Sequence, residues 1–425
     1  MIIELYLKYI KENIMEKKEF VIGFITGRPN VCNIINTYYK TILNQLGESA
    51  NLNFYILYDL NYNHTTKEEF YNINKEVYES GVKIRHIGIE EMDLEKAIVQ
   101  EQYNLSEAEV NLFMGYGYCR ARNTIMYYAL KNNVDYLLFW DDDEYPVACL
   151  KENNKISWIE QENIKEHMKY IQKSNITFGY RCGYNSPVPY IDFNKYISEI
   201  DFKNFIDAVS NEAVSWKNIR NNMEENGITY AQKAIIEEKK IKRLYRLGID
   251  EWLLGSGICI NITDIEKIPA FYNPPNARGE DAFFSTLLGT AKVYKIPTYH
   301  FHDGFLQYTQ IMEKKYPDKL KKVEIEEKNI RKRFIDAAIG WIKYKPLLLY
   351  ITHRQQYTQT IAKTYEQLKL SIPKMNEAFN CNDFSELLVE LEKYDTNVHK
   401  HYWEYIKINN IWNKIKTKGR ERLYA

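Results

Sequence analysis

No run of about eighteen apolar residues occurs in this chain, so no segment reads as a membrane-crossing helix. The six cysteines, Cys32, Cys119, Cys149, Cys182, Cys259 and Cys381, contain no CxxC pair. A zinc knuckle and a disulfide framework are therefore not suggested, and reduced, mostly buried thiols are expected. Net charge is missing too, since 57 Lys and Arg balance 57 Asp and Glu. That removes the field of a general nucleic-acid binder and disfavours duplex reading. The opening Met1-Ile2-Ile3-Glu4-Leu5-Tyr6-Leu7-Lys8 is broken by charge too early for a signal peptide, which makes the expected location cytoplasmic. There is no internal repeat, and the abundance of Asn, Lys, Ile and Tyr reads as compositional bias.

What is present is enough apolar material, 45% over 425 residues, to bury a large core. The most informative stretch runs from Tyr136 to Glu144, where Tyr-Leu-Leu-Phe-Trp ends abruptly in Asp141-Asp142-Asp143-Glu144. The apolar run shows no polar alternation and so reads as a strand buried on both faces. Four adjacent carboxylates repel one another, and the usual counterweight is a cation. Alternate side chains of a strand point to one face, so Asp141 and Asp143 can converge on one hard metal at the carboxyl end, where open α/β sheets bind ligands. A solvated acidic turn is the plain alternative.

Along the chain, Phe20 to Thr26 reads as a buried strand, Gly27-Arg28-Pro29-Asn30 as a turn, Ile34 to Leu46 as a helix, and Asn53 to Tyr58 as a second strand ending in Asp59. A helix over Lys67 to Glu79 and a strand over Val82 to Ile87 follow, and this alternation predicts a mostly parallel sheet. A helix from Gly117 to Lys131 carries Arg120, Arg122 and Asn123 near its start. Later strands are expected at Ile176 to Tyr180, Trp252 to Ile260 and Thr290 to Tyr299, with Glu280-Asp281 opening a helix, a position that also suits the helix dipole. The expected organisation is a helical leader over 1–18, a doubly wound α/β domain over 19–305 with a charged helical insertion at 192–246 lying over one sheet edge, and a helical region over 306–425.

In that last region Phe384, Leu387, Leu388, Leu391 and Tyr394 form one apolar helix face, either core or a surface for homo-oligomerisation. The final helix, around Trp412 and Ile415, carries Lys414, Lys416, Lys418, Arg420 and Arg422 against Glu421. Such a face suits peripheral contact with anionic lipid, its alternative being a solvated terminus.

Taken in order, Asp59 after the second strand, Arg120-Ala121-Arg122-Asn123, Asp141-Asp142-Asp143, Gly279-Glu280-Asp281 and then His300 and His302 resemble the GT-A glycosyltransferases, especially inverting family 2-like members. The likeness covers roughly 19–304, and it is the ordered set that carries it. It implies a GT-A, Rossmann-like sheet and a hexosyltransferase-like activity (EC 2.4) on a UDP- or GDP-sugar. By the same resemblance Thr26, Arg28 and Asp59 bind the nucleotide, Arg120, Arg122 and Asn123 lie beside the pyrophosphate, and Asp141 and Asp142 contact the ribose. Asp141 and Asp143 hold Mn²⁺ or Mg²⁺ with His302 or His300 completing the shell, and Asp281, with Glu280, serves as base for inversion.

The acidic stretch is one residue longer than the minimal motif, so a shifted register using Asp142 and Glu144 stays open, as does the choice between the histidines. The expected acceptor is a hydroxyl of a glycan, a lipid-linked sugar or a protein. A sugar-1-phosphate nucleotidyltransferase would need a Gly-rich phosphate loop, and Gly27-Arg28-Pro29-Asn30 has one Gly. A non-catalytic carbohydrate-binding protein is the third reading, which acids at both sites disfavour.

Overall fold

The computed structural model describes residues 17–421, apart from 194–196, 212–213 and 254–256. The expected leader lies almost entirely outside the described residues, as do the side chains of Arg420 and Arg422.

The first three strands, β1 (Lys18–Thr26), β2 (Ala50–Tyr58) and β3 (Lys83–Ile87), pair in parallel, and β4 (Tyr136–Phe139) joins the other side of β1, also in parallel. Next come β5 (Glu144–Tyr145), the separate hairpin β6 (Val147–Glu152) and β7 (Lys155–Glu160), β8 (Ile176–Gly183), β9 (Lys242–Leu244), β10 (Ile258–Asn261) and β11 (Val293–His302). The order across the main sheet is β3-β2-β1-β4-β10-β8-β11-β5, with β9 on β11. The β10 strand is antiparallel to both neighbours, and β5 and β9 are antiparallel to β11. A Rossmann-like α/β fold built on a mixed sheet, flanked by helices and followed by a helical region, is therefore what this chain adopts.

Burial on both faces explains the unbroken apolar strands. Val21, Tyr55, Leu57, Leu137 and Phe139 enter one core, while Phe20, Ile22, Phe24, Phe54, Ile56 and Leu138 enter the other. Each such buried side chain contributes on the order of 1.5–3 kcal/mol, so the central strands are pinned in register and the rim they end on is rigid.

Four expectations change. The strand foreseen over Trp252 to Ile260 is Ile258–Asn261, and Trp252 and Leu253 before it are in no strand. The helix foreseen over Lys67 to Glu79 is a 3-10 turn, Lys67–Tyr71, and a separate short helix, Lys75–Glu79. The last strand spans Val293–His302 rather than Thr290 to Tyr299, with both histidines on it as expected, and its pairing with β8 shifts register between Lys295 and Tyr299. The insertion does add β9 to β11, but its helix Glu199–Val209 packs on the C-terminal helices, with the Phe205 ring 5.4 Å from Phe384 and Phe202 6.3 Å from Phe334.

The C-terminal stripe is core. Phe384, Leu387, Leu391 and Tyr394 are buried within the chain, so they are not a free surface for a second copy. In the last helix, Val398–Glu421, Trp412 stacks on Phe113 at 5.5 Å, and its Nε1–H donates to the Ile268 carbonyl at 3.0 Å. Lys416 is buried and donates to the carbonyls of Glu266 (3.0 Å) and Ile268 (3.1 Å), and Lys414 donates to that of Asn104 (2.8 Å). Lys416 is thereby committed to the protein's own backbone rather than to a surface, while Lys414 stays exposed. Among the described residues no helix is long and apolar enough to cross a membrane.

Candidate functional site at the carboxyl rim of the sheet

The rim is assembled from the ends of β1, β4, β8 and β11 and the start of the helix Glu280–Thr286. At the tip of β4 the acidic turn is tied down from several sides, which offsets the repulsion among its carboxylates. The Trp140 Nε1–H donates to the Glu144 carbonyl (3.0 Å), the Asn30 amide to the Asp142 carbonyl (2.6 Å), and the Asp303 N–H to the Asp143 carbonyl (2.8 Å). Asp142 is buried and receives the Thr26 hydroxyl and the Arg28 guanidinium. Burial, opposed by Arg28 and reinforced by Asp143, raises the Asp142 pKa to about 6.

Asp143 stands differently. One oxygen accepts from Arg28 Nη2 at 2.9 Å, and the other lies 3.7 Å from His302 Nε2. Burial opposes its ionisation, yet His302 and Arg28 outweigh that and hold its pKa below the ordinary carboxylate value. The other nitrogen of His302, Nδ1, lies 2.7 Å from the Tyr184 carbonyl, an arrangement that makes Nδ1 the donor and leaves Nε2 facing Asp143. His300, one alternation earlier, is buried with its ring 5.3 Å from that of Trp140. Burial lowers its pKa to about 3.

Across the rim, Gly279 adopts φ +89°, a left-handed turn that a side chain would strain, and a Cβ there would also meet the Tyr344 ring at 3.0 Å. This turn places Glu280 inward and Asp281 at the half-buried edge. Glu280 meets Arg122 Nε at 3.4 Å, and the guanidinium stands 5.0 Å from the Phe139 ring and 5.6 Å from Phe271. Burial first, and the neighbouring Asp281 second, raise the Glu280 pKa against the pull of Arg122. Asp281 Oδ1 accepts the Ala282 N–H at 2.9 Å.

Arg181, on β8, links the two acidic motifs. Its Nε lies 2.9 Å from Glu144 Oε1, and Asp141, Asp281 and Asp143 are its further electrostatic partners, which together raise its pKa despite burial. Asp141 also lies in the fields of Glu280 and Tyr118. Thr26, Arg28, Arg122, Asp141, Asp142, Asp143, Glu280, Asp281 and His302 are thus brought to one rim. Asp59 sits beside them, its N–H donating to the Thr26 carbonyl at 2.9 Å and its Oδ1 accepting from the Asn61 N–H at 3.0 Å.

The remaining candidates are placed otherwise. Asn123 is fully buried and clamps the Phe271 backbone, donating to its carbonyl at 2.9 Å and accepting its N–H at 2.8 Å. Arg120 is exposed and reaches toward the Asn111 carbonyl (3.5 Å). Sequence reasoning missed Arg181, Arg278 and Arg333. Pairing of Arg181 with His300 in the β8–β11 register is a signal that strand alternation offers once the strands are matched. A cavity of about 630 Å³ opens beside Tyr118 and Arg278, whereas a larger one of about 1040 Å³ lies at the opposite ends of β1 to β3 and touches none of the acids named above.

No protein-family model matches the chain, and no curated protein matches it. Among solved structures, the chain is similar to the X-ray structure of the mannosyltransferase Ktr4p from S. cerevisiae in complex with GDP, at 13% identity over 60% of this chain and with a TM-score of 0.24. The match spans 59% of that chain.

Proposed function

We propose that this protein is a metal-dependent glycosyltransferase that moves a sugar from a UDP- or GDP-sugar to a hydroxyl with inversion. One observation carries the reading: two acidic motifs far apart in sequence, Asp141 to Glu144 and Glu280-Asp281, meet at one rim with Arg181 in the field of both. Single displacement needs two such poles, one for the departing diphosphate and one for the attacking hydroxyl.

Asp143 and His302 fit a divalent ion. Among the described residues no three His, Cys, Asp or Glu stand in a metal-holding arrangement, and the two that would hold Mn²⁺ or Mg²⁺ are Asp143 and His302, with diphosphate and water oxygens as the further ligands usual for Mg²⁺ at phosphate sites. When bound, such an ion neutralises charge on a leaving diphosphate. Arg28 fixes the second oxygen of Asp143 and, with Thr26, locks Asp142 against the first-strand turn. Asp281, held at a helix start, takes the proton from the acceptor hydroxyl as its oxygen bonds to the anomeric carbon, and the sugar–phosphate bond breaks with its electron pair leaving on the diphosphate. Glu280, clamped by Arg122, positions Asp281 rather than touching the acceptor.

A panel of nucleotide sugars assayed with Mn²⁺ tests the proposal, with anomeric NMR of the first product to read stereochemistry. Asp281→Asn should retain donor binding and lose transfer by about 10²–10⁴-fold. Asp143→Ala should remove the metal dependence, and a folded Asp143→Ala protein with an unchanged rate discards the reading.

A further inference from the structure

The helix Lys328–Thr352 lies after the sheet in sequence, yet it sends Arg333 to the acidic rim. Among the described residues Arg333 makes no hydrogen bond and no ion pair. Its guanidinium lies over the Phe305 ring at 4.5 Å, with Asp143 attracting it and Arg278 and Arg28 repelling it. Arg278, immediately before the Gly279 turn, is likewise without an anionic partner there and stands 5.9 Å from the Tyr118 ring. Two guanidiniums that repel each other are thus held at one rim, with neither of them in an ion pair among the described residues.

Small residues make the arrangement possible. A Cβ on Gly304 would collide with Arg333 Nη2, and a Cβ on Gly340 would land 3.2 Å from Arg278 Cδ. Gly304 directly follows His302-Asp303, so the missing side chain opens the path by which Arg333 reaches the neighbourhood of Asp143. Stacking on Phe305 orients the planar fork while leaving its N–H groups for a ligand.

We infer that Arg333 and Arg278 form a receptor for a phosphoryl group, the terminal phosphate of a nucleoside diphosphate, and that the C-terminal helical region is thereby part of the donor site. The inference deepens the nucleotide-sugar reading and rests on it for the identity of the ligand. Arg28 is already paired with Asp142 and Asp143, so a second dianion needs further cations, and the two unpaired forks match phosphate oxygens bidentately.

Calorimetric titration of the full chain with UDP and GDP, with UMP and GMP, and with inorganic pyrophosphate tests this. Arg333→Ala should weaken the diphosphates and pyrophosphate by about 10- to 100-fold, the loss of one charge-assisted fork, and leave the monophosphates unchanged. Arg333→Lys should recover part of the loss. Gly304→Ala, which displaces the guanidinium without deleting it, should reproduce it in a chain of unaltered circular dichroism. Unchanged diphosphate affinity in Arg333→Ala, as expected if the phosphate belongs to the acceptor, overturns the inference, and so does an equal loss for mono- and diphosphates. Should the protein take pyrophosphate in an Arg333-dependent way but neither UDP nor GDP, the nucleotide reading fails while the receptor stands.

Discussion

Replacing Arg122 by Met would strand Glu280 in the interior, and the size of the penalty follows from the geometry. The two side chains are 7% and 9% exposed, so water screens neither. Removing one member of such a pair typically costs about 3–5 kcal/mol, but Glu280 can escape by taking up a proton. The electrostatic cost therefore cannot exceed the free energy of protonating a carboxyl whose ordinary pKa is 4.5. At about 1.36 kcal/mol per pH unit, that ceiling is about 1 kcal/mol at pH 5 and about 5 kcal/mol at pH 8. Contacts with the Phe139 and Phe271 rings add a pH-independent loss of about 1 kcal/mol.

The sign is that of a carboxyl whose folded pKa is raised: stability is greatest below 4.5 and declines as pH rises toward the folded value. Urea unfolding at pH 5 and pH 8 reads it directly, and the double variant Arg122→Met/Glu280→Gln should abolish the pH dependence. A loss of equal size at both pH values would refute the buried pair, and so would an Arg122→Met protein as stable as the parent at pH 8.

Asn123→Ala should cost about 2–4 kcal/mol, because it leaves the Phe271 N–H and carbonyl unpaired in a dry core, and it should alter nucleotide affinity little; urea unfolding beside nucleotide titration separates the two. His167 is buried with Nδ1 2.8 Å from Thr177 Oγ1, and burial lowers its pKa to about 3 from 6.5. The unfolded chain thus binds the more protons between those values, so the protein loses stability as pH falls below 6.5. His167→Gln should remove about 2 kcal/mol of the difference between pH 7 and pH 5, and an unchanged pH profile of unfolding would contradict the burial.

Much of the sheet was legible because its strands are buried on both faces. Phe20 to Ile25 and Leu137 to Trp140 carry no polar alternation, and only a central strand tolerates that. The acidic turn was legible for the opposite reason, since four adjacent carboxylates have no place in a core without partners. The hairpin Val147–Glu152/Lys155–Glu160 escaped notice because it turns through Asn153 and Asn154, both at positive φ, with no Gly to mark it. The role of Asn123 was equally hidden. Its two hydrogen bonds run to a backbone 148 residues away, and residue type does not say whether a buried amide faces a ligand or a carbonyl.

The sequence by itself determined that an α/β sheet, parallel in its first strands, would carry acids at its carboxyl rim, because hydrophobic run length and charge placement are local properties. Only the tertiary structure decided which groups meet those acids. His302 rather than His300 is turned toward Asp143, Arg181 bridges the two acidic motifs, and Arg333 arrives from a helix beyond the sheet. Coulomb interaction depends on distances of a few ångströms, and across separations of a hundred residues or more those distances are set by strand order and helix packing.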